Sequence, residues 1–237
     1  MIPCPFQGMS PRKVQYAMAD PIVHVPSPVT LLGGADLDDN ELNICLKVAP
    51  SVVAADGGAD HARRRGLRPL AVIGDMDSIS AAARADFGDA MHRIAEQDTT
   101  DFEKCLTRIT APLIMAAGFL GGRLDHTLAA LGVIARLRVH HVVLVARDDV
   151  CVLLPQGESV WHLTPGDRAA LLPLGTATVT SVGLRWDLSD RALAPDGTVS
   201  SSNAVAAPTV RLSVSGPVLL TLPLAAWAAV TGAVLGR

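Results

Sequence analysis

Residues 52–78 read VVAADGGADHARRRGLRPLAVIGDMDS. Two short apolar runs, Val52 to Ala55 and Leu70 to Ile73, flank a helical stretch that reaches about Arg65 and is stopped by Gly66 and Pro69. Neither run alternates with polar residues, which is the pattern of a strand buried on both faces. Strands separated by a helix in this way imply a parallel α/β sheet. Each run ends in glycine and aspartate: Asp56-Gly57-Gly58 after the first, Gly74-Asp75-Met76-Asp77-Ser78 after the second.

The same texture extends outward. Val29 to Leu32 reads as a strand ending in Gly33-Gly34, Asp39 to Val48 as a helix, and Leu113 to Ala117 and Val142 to Ala146 as further strands. Residues 29–149 are therefore expected to form an α/β domain with a mainly parallel sheet. Beyond Asp149, short apolar segments (Val150 to Leu154, Ser159 to Leu163, Ala169 to Leu172, Thr176 to Thr180) are separated by turns, with no helical period until the last dozen residues. Residues 150–237 are expected to form a smaller all-β domain, a sandwich or barrel. Residues 1–28 read as an N-terminal extension without the apolar run of a secretory signal, with Met1, Met9 or Met18 as the start. The uncharged stretch from Leu212 to Gly236 is long enough to span a bilayer. Pro217 and Pro223 interrupt it, so a strand pair and a short C-terminal helix are expected, and no membrane partner.

The 237 residues carry 20 Lys and Arg against 23 Asp and Glu, a net charge of −3, and are 49% hydrophobic. A wholly disordered chain is excluded, and the slight acidity argues against nucleic acid as a partner. Aromatics are only 3%, so the core is mostly Ala, Val and Leu. The lysines are Lys13, Lys47 and Lys104 alone. Cys4, Cys45, Cys105 and Cys151 lack zinc spacing and read as buried thiols in a reducing cytoplasm.

In open parallel sheets ligands bind at the carboxyl ends of the strands, where this chain places its glycines and aspartates. Asp75 and Asp77, two apart, point the same way if the segment is extended, and a divalent cation between them relieves their repulsion. Mg²⁺ suits so few protein ligands, because it keeps water and substrate phosphates as the rest. The bland alternative is a turn in which one of them caps the next helix. In Asp98-Thr99-Thr100-Asp101-Phe102-Glu103-Lys104, Thr100 and Glu103 fit a capping box, and Phe102, Cys105, Leu106 and Ile109 give an apolar helical face. A helix start also offers N–H groups to a phosphate, with Lys104 one turn in. Gly121-Gly122-Arg123-Leu124-Asp125-His126 opens another helix, whose Leu128, Leu131, Ile134 and Leu137 are expected to face the core. Arg123 matches phosphate bidentately, or is only a surface charge. GxxxxGK[ST] and GxGxxG are both absent, so nucleotide chemistry here needs another cradle.

Together these stretches resemble the thiamine pyrophosphokinase (thiamine diphosphokinase) family. Ser181-Val182-Gly183-Leu184-Arg185-Trp186 and Ser201-Ser202-Asn203 also match its pattern, and the resemblance covers about Val29 to Pro223. It implies transfer of diphosphate from ATP to the thiamine hydroxyl, giving thiamine diphosphate and AMP. It also implies an α/β nucleotide-binding domain, a smaller all-β sandwich domain that binds thiamine, and a homodimer with thiamine at the subunit interface. Asp75, Asp77 and Asp98 would hold Mg²⁺, with Asp125 as a possible helper. Asp101 would orient or deprotonate the hydroxyl, and Lys104 and Arg123 would neutralise charge on the transferred group. Asp56, Gly57, Gly58, Thr100, Arg123, Asp125 and His126 would contact ATP. Trp186 would stack on thiamine, and Ser202 and Asn203 would hydrogen-bond its pyrimidine.

Three rivals remain at this stage. Val72 to Ile79 imitates the strand and Asp-x-Asp of a haloacid-dehalogenase-type phosphatase, with Asp75 as nucleophile. A glycosyltransferase with an Asp-x-Asp metal site fits the same residues. A non-catalytic nucleotide or thiamine sensor is the third, though it has no need of five clustered acids.

Overall fold

The computed structural model describes residues 20–236, so Cys4 and the three start methionines lie outside the described residues. Among the described residues, fifteen strands and six α-helices follow one another. The strands are β1 (Val23–His24), β2 (Val29–Leu32), β3 (Ser51–Ala55), β4 (Ala71–Gly74), β5 (Met91–Arg93), β6 (Ile109–Thr110), β7 (Ile114–Ala117), β8 (Val142–Val145), β9 (Asp149–Leu153), β10 (Gly157–His162), β11 (Ala170–Pro173), β12 (Ala177–Val182), β13 (Arg191–Leu193), β14 (Thr209–Ser215) and β15 (Val218–Pro223). The helices are α1 (Asp39–Val48), α2 (Gly58–Arg64), α3 (Ala81–Asp86), α4 (Asp101–Leu106), α5 (Leu124–Leu137) and α6 (Trp227–Val234).

A nine-stranded sheet in the order β11-β15-β9-β8-β7-β2-β3-β4-β5 forms the frame. From β8 to β5 all neighbours are parallel, while β9, β15 and β11 join antiparallel. Successive side chains of a strand face opposite ways, and the two faces have separate cores. Val52, Ala54 and Val72 pack with α1 and α2 residues such as Leu42, Cys45 and Ala62. Val53, Ala55 and Ile73 pack with Phe102, Cys105 and Leu106 of α4 and Val133 and Ile134 of α5. Over β9 and β15 the first face is covered instead by a four-stranded sheet, β10-β14-β12-β13, through Trp161, Val179, Val210 and Leu212. That pair of layers is the expected sandwich. The change of texture near residue 149 coincides with the turn from β8 to β9, but hydrogen bonding runs on across it, with Val143 opposite Val152.

The apolar C-terminus forms β14, β15 and α6, and no helix among the described residues is long and apolar enough to cross a membrane. Cys45, Cys105 and Cys151 are free and buried. Residues 20–28, read as extension, contribute β1, which pairs with β6.

Three local expectations need correction. Leu128 is 58% exposed rather than in the core, because α5 buries Ala130, Val133 and Ile134 instead. The helix after Thr100 stops at Leu106, and Ile109 belongs to β6. Only half of the Thr100 box forms: Thr100 Oγ1 accepts from the Glu103 N–H at 3.3 Å, while the Glu103 carboxylate turns to Arg136. A complete capping box starts α1 instead, where Asp38 and Glu41 bond reciprocally at 2.8 Å.

Candidate active site

β2, β3, β4, β7 and β8 run parallel, so their carboxyl ends share one edge of the sheet. The chain leaving β3 turns sharply, with Asp56 at φ 40°, a left-handed conformation uncommon outside glycine. Asp56 is 2% exposed. Gly74, at the end of β4, faces it. A Cβ there would come within 2.8 Å of the Asp56 Cβ and 3.0 Å of Asp101 Oδ1. Asp101 opens α4, which Thr100 caps. As a result Asp56, Asp75 and Asp101, from three separate segments, each place an oxygen within 4.8 Å of the others.

The electrostatics of this group are unbalanced. Burial pushes the Asp56 carboxyl up to about 6; the Ser78 N–H, 3.0 Å from Oδ2, offsets part of that, and the charges of Asp101, Asp75 and Asp77 add to it. Its Oδ1 is buried without a hydrogen-bond partner. Burial also raises Asp101, against the Lys104 hydrogen bond. Asp75 is held low, first by the Gln97 amide at 2.8 Å, then, against some burial, by the Asp77 N–H and the Lys104 charge. Lys104 is 1% exposed, its Nζ 3.1 Å from Asp101 and 3.7 Å from Asp75. Burial opposes its charge, but Asp101 and Asp75 outweigh that and leave its pKa raised. The three-carboxylate group is thus matched by one ammonium, which touches only Asp101 and Asp75. A hard divalent cation would restore the balance and give Asp56 Oδ1 a partner, so the donor set fits one.

The group differs from the Asp75, Asp77 and Asp98 set read from the sequence. Met76 sits at φ 71°, so the segment is not extended and Asp77 does not share the side of Asp75. Asp77 is exposed and accepts from the Ser78 hydroxyl at 2.8 Å. Asp98 is also exposed, its N–H donated to Glu96 at 2.8 Å. Glu96 further receives the Thr99 N–H at 3.0 Å and the Thr99 hydroxyl, which shapes the approach to α4. Sequence reasoning missed Gln97 and Glu96, since neither sits at a strand end. It placed Asp56 only with the nucleotide.

The remaining predicted contacts divide. Arg123 and Asp125 form an exposed pair at 2.6 Å at the start of α5, with exposed His126 beside them. A side chain on Gly58 would overlap the Leu32 carbonyl oxygen, so that glycine serves chain packing against β2. Gly57 is open enough for a side chain, with Ser78 the nearest neighbour at 3.5 Å.

Trp186 stands apart, 56% exposed on the loop between β12 and β13. Asn203, 4% exposed, accepts from the Trp186 N–H at 3.1 Å and donates to its carbonyl at 2.7 Å. Its amide thus holds the Trp186 loop. Asp187 fixes the same loop through Ser181, Gly183 and Leu184. A groove of about 650 Å³ runs beside Trp186, Arg191, Val199 and Ser202. The sandwich lies over β9, β15 and β11, and five strand spacings separate β9 from β4. At about 4.8 Å each that is roughly 24 Å.

Residues 42–146 match the family model described as thiamin pyrophosphokinase, catalytic domain. Residues 149–219 match that described as thiamin pyrophosphokinase, vitamin B1 binding domain. The chain is 31% identical over 207 residues to thiamine pyrophosphokinase 1 of Oryza sativa subsp. japonica, covering 73% of this chain and 78% of that protein. To thiamine pyrophosphokinase 1 of Arabidopsis thaliana it is 31% identical over 210 residues, covering 73% and 77%. The fold superposes on the thiamin pyrophosphokinase from Candida albicans with a TM-score of 0.72 at 17% identity, over 91% of this chain and 95% of that one. With catalytic and vitamin-binding regions both matched in order, the chain belongs to the thiamin pyrophosphokinase family of ATP-dependent diphosphotransferases.

Proposed function

We propose that Asp56, Asp75 and Asp101 hold Mg²⁺ at the strand ends while a diphosphate group passes from ATP to the hydroxyl of thiamine. The observation that carries this reading is the buried, unpartnered Asp56 Oδ1 inside a three-carboxylate group. The cation would neutralise charge on the ATP phosphates. The hydroxyl oxygen attacks the β-phosphorus, the bond to the α–β bridging oxygen breaks, and AMP leaves. Asp101, at the start of α4, takes the hydroxyl proton through the oxygen that does not hold the cation. Lys104 keeps Asp75 and Asp101 close together and is a positioning residue. Arg123 and His126 at the α5 start face the phosphates, with Asp77 and Asp98 on the exposed rim. A nucleophilic Asp75 is disfavoured, since Gln97, Lys104 and the Asp77 N–H engage both its oxygens. The free, buried thiols fit a reducing cytoplasm.

Trp186 and Ser202 bind thiamine in this reading, with Asn203 fixing the Trp186 backbone. The strand count from β4 to the sandwich favours a homodimer, in which the carboxylates of one subunit meet the Trp186 loop of its partner. Mixed subunits test this. Asp75→Asn alone and Trp186→Ala alone are expected to be nearly inactive at subsaturating thiamine. Random pairing of the two should restore roughly a quarter of wild-type turnover, since half the dimers then carry one intact site of two. No recovery in a verified mixed dimer would place both halves of the site in one chain.

A further inference from the structure

Glu103 has no task in the site just described. It stands two residues beyond Asp101, about 200° around the helix. Asp101 and Lys104 therefore face the strand ends, while Glu103 faces α5. Glu103 is 3% exposed. Its Oε2 accepts from Arg136 Nη2 at 2.5 Å, and its Oε1 is buried without a hydrogen-bond partner. Arg136 lies in the last turn of α5, the helix whose first turn carries Asp125 and His126. A second tie joins the same two segments: the rings of Phe102 on α4 and Phe119, ahead of α5, are 4.3 Å apart.

α4 has six residues, too few to persist as an isolated helix. The placement of Asp101 and Lys104 thus depends on what grips α4. Apolar contacts from Phe102, Cys105 and Leu106 hold it down on the sheet, but such contacts are not directional. A buried carboxylate with one oxygen unpartnered is a costly fastener, and a hydrophobic residue would fasten the helix at least as well. What the charged bond adds is direction.

We propose that the Glu103–Arg136 pair is a positioning device that sets the rotation of α4 and thereby the approach of Asp101 and Lys104 to Asp75. The inference rests on the reading of Asp56, Asp75 and Asp101 as the divalent-cation site. The test is Mn²⁺ titration of the full chain, followed by the electron paramagnetic resonance of free Mn²⁺, without ATP or thiamine and well below each melting temperature. Glu103→Gln keeps size and an acceptor. It is expected to weaken Mn²⁺ binding and lower kcat by roughly 10–100-fold each, with the KM for thiamine unchanged. Arg136→Met strands a buried charge and risks the fold, so Arg136→Lys is the second variant, keeping the cation but not the planar fork. It is expected to fall between wild type and Glu103→Gln. A folded Glu103→Gln that binds Mn²⁺ like the wild type, whatever its melting temperature, overturns the inference. A wild-type chain that binds no Mn²⁺ overturns the metal reading itself, and this inference with it.

Discussion

Replacing Asp75 by asparagine is expected to lower diphosphate transfer by about two to three orders of magnitude while the fold survives. The magnitude is that of removing a preorganised charge from a group-transfer site. The substitution is nearly isosteric. Asparagine Oδ1 still accepts the Asp77 N–H now held at 3.1 Å, and Gln97 can turn its amide to accept from the new Nδ2. The Asp75 side chain is 11% exposed and its Lys104 contact is 3.7 Å, the longer of the two that Lys104 makes. Lys104 therefore keeps Asp101 as its partner. Circular dichroism melts of the two proteins, beside turnover at saturating ATP, thiamine and Mg²⁺, separate chemistry from folding. Unchanged turnover would remove Asp75 from the metal group.

Divalent-cation binding should fail in mildly acidic solution, and the cause is Asp56. Its carboxyl is raised to about 6 by burial. Below that pH it holds a proton that must leave before a metal can bind, so affinity should fall roughly tenfold per pH unit, with little change between pH 7 and 8. The stability of the metal-free protein responds in the opposite sense. A carboxyl whose folded pKa lies above its ordinary 3.8 contributes stability that is complete below that value and lost as pH rises through about 6. Metal-free wild type should lose stability relative to Asp56→Asn between pH 4 and 7, and Mg²⁺ should cancel the loss. Calorimetric titration with Mn²⁺ at several pH values, with metal-free melts of both proteins, checks both signs. A pH-independent affinity from 5 to 8 would contradict the assignment of Asp56 to the metal.

Much of the frame was legible because strand burial leaves a direct trace. Val29 to Leu32 and Asp39 to Val48 were read at their observed bounds, since uninterrupted apolar runs and a capped amphipathic stretch are local patterns. The sheet order is not local, and neither is the joining of β9, β15 and β11 to the parallel strands. The site shows the same division. Gly-Asp endings mark the strand ends where Asp56 and Asp75 sit, but their grouping with Asp101 is not visible in the sequence. It depends on the left-handed turns at Asp56 and Met76 and on how closely Gly74 lets α4 approach. An extended Gly74 to Ser78 would turn Asp77 to the side of Asp75, and the left-handed Met76 prevents that. Lys104 was singled out for its rarity, whereas its burial between two carboxylates comes from packing. For Asn203 the surface turn was visible, but its bonds to Trp186, 17 residues away, were not.

The proposed reaction is a metal-dependent transfer of diphosphate, as one group, to thiamine. Phosphorus NMR of the protein with ATP, thiamine and Mg²⁺ tests it most directly. AMP and thiamine diphosphate should appear in equal amounts, with neither formed when thiamine or the metal is left out. Orthophosphate released without thiamine, or ADP appearing with thiamine monophosphate, would contradict it.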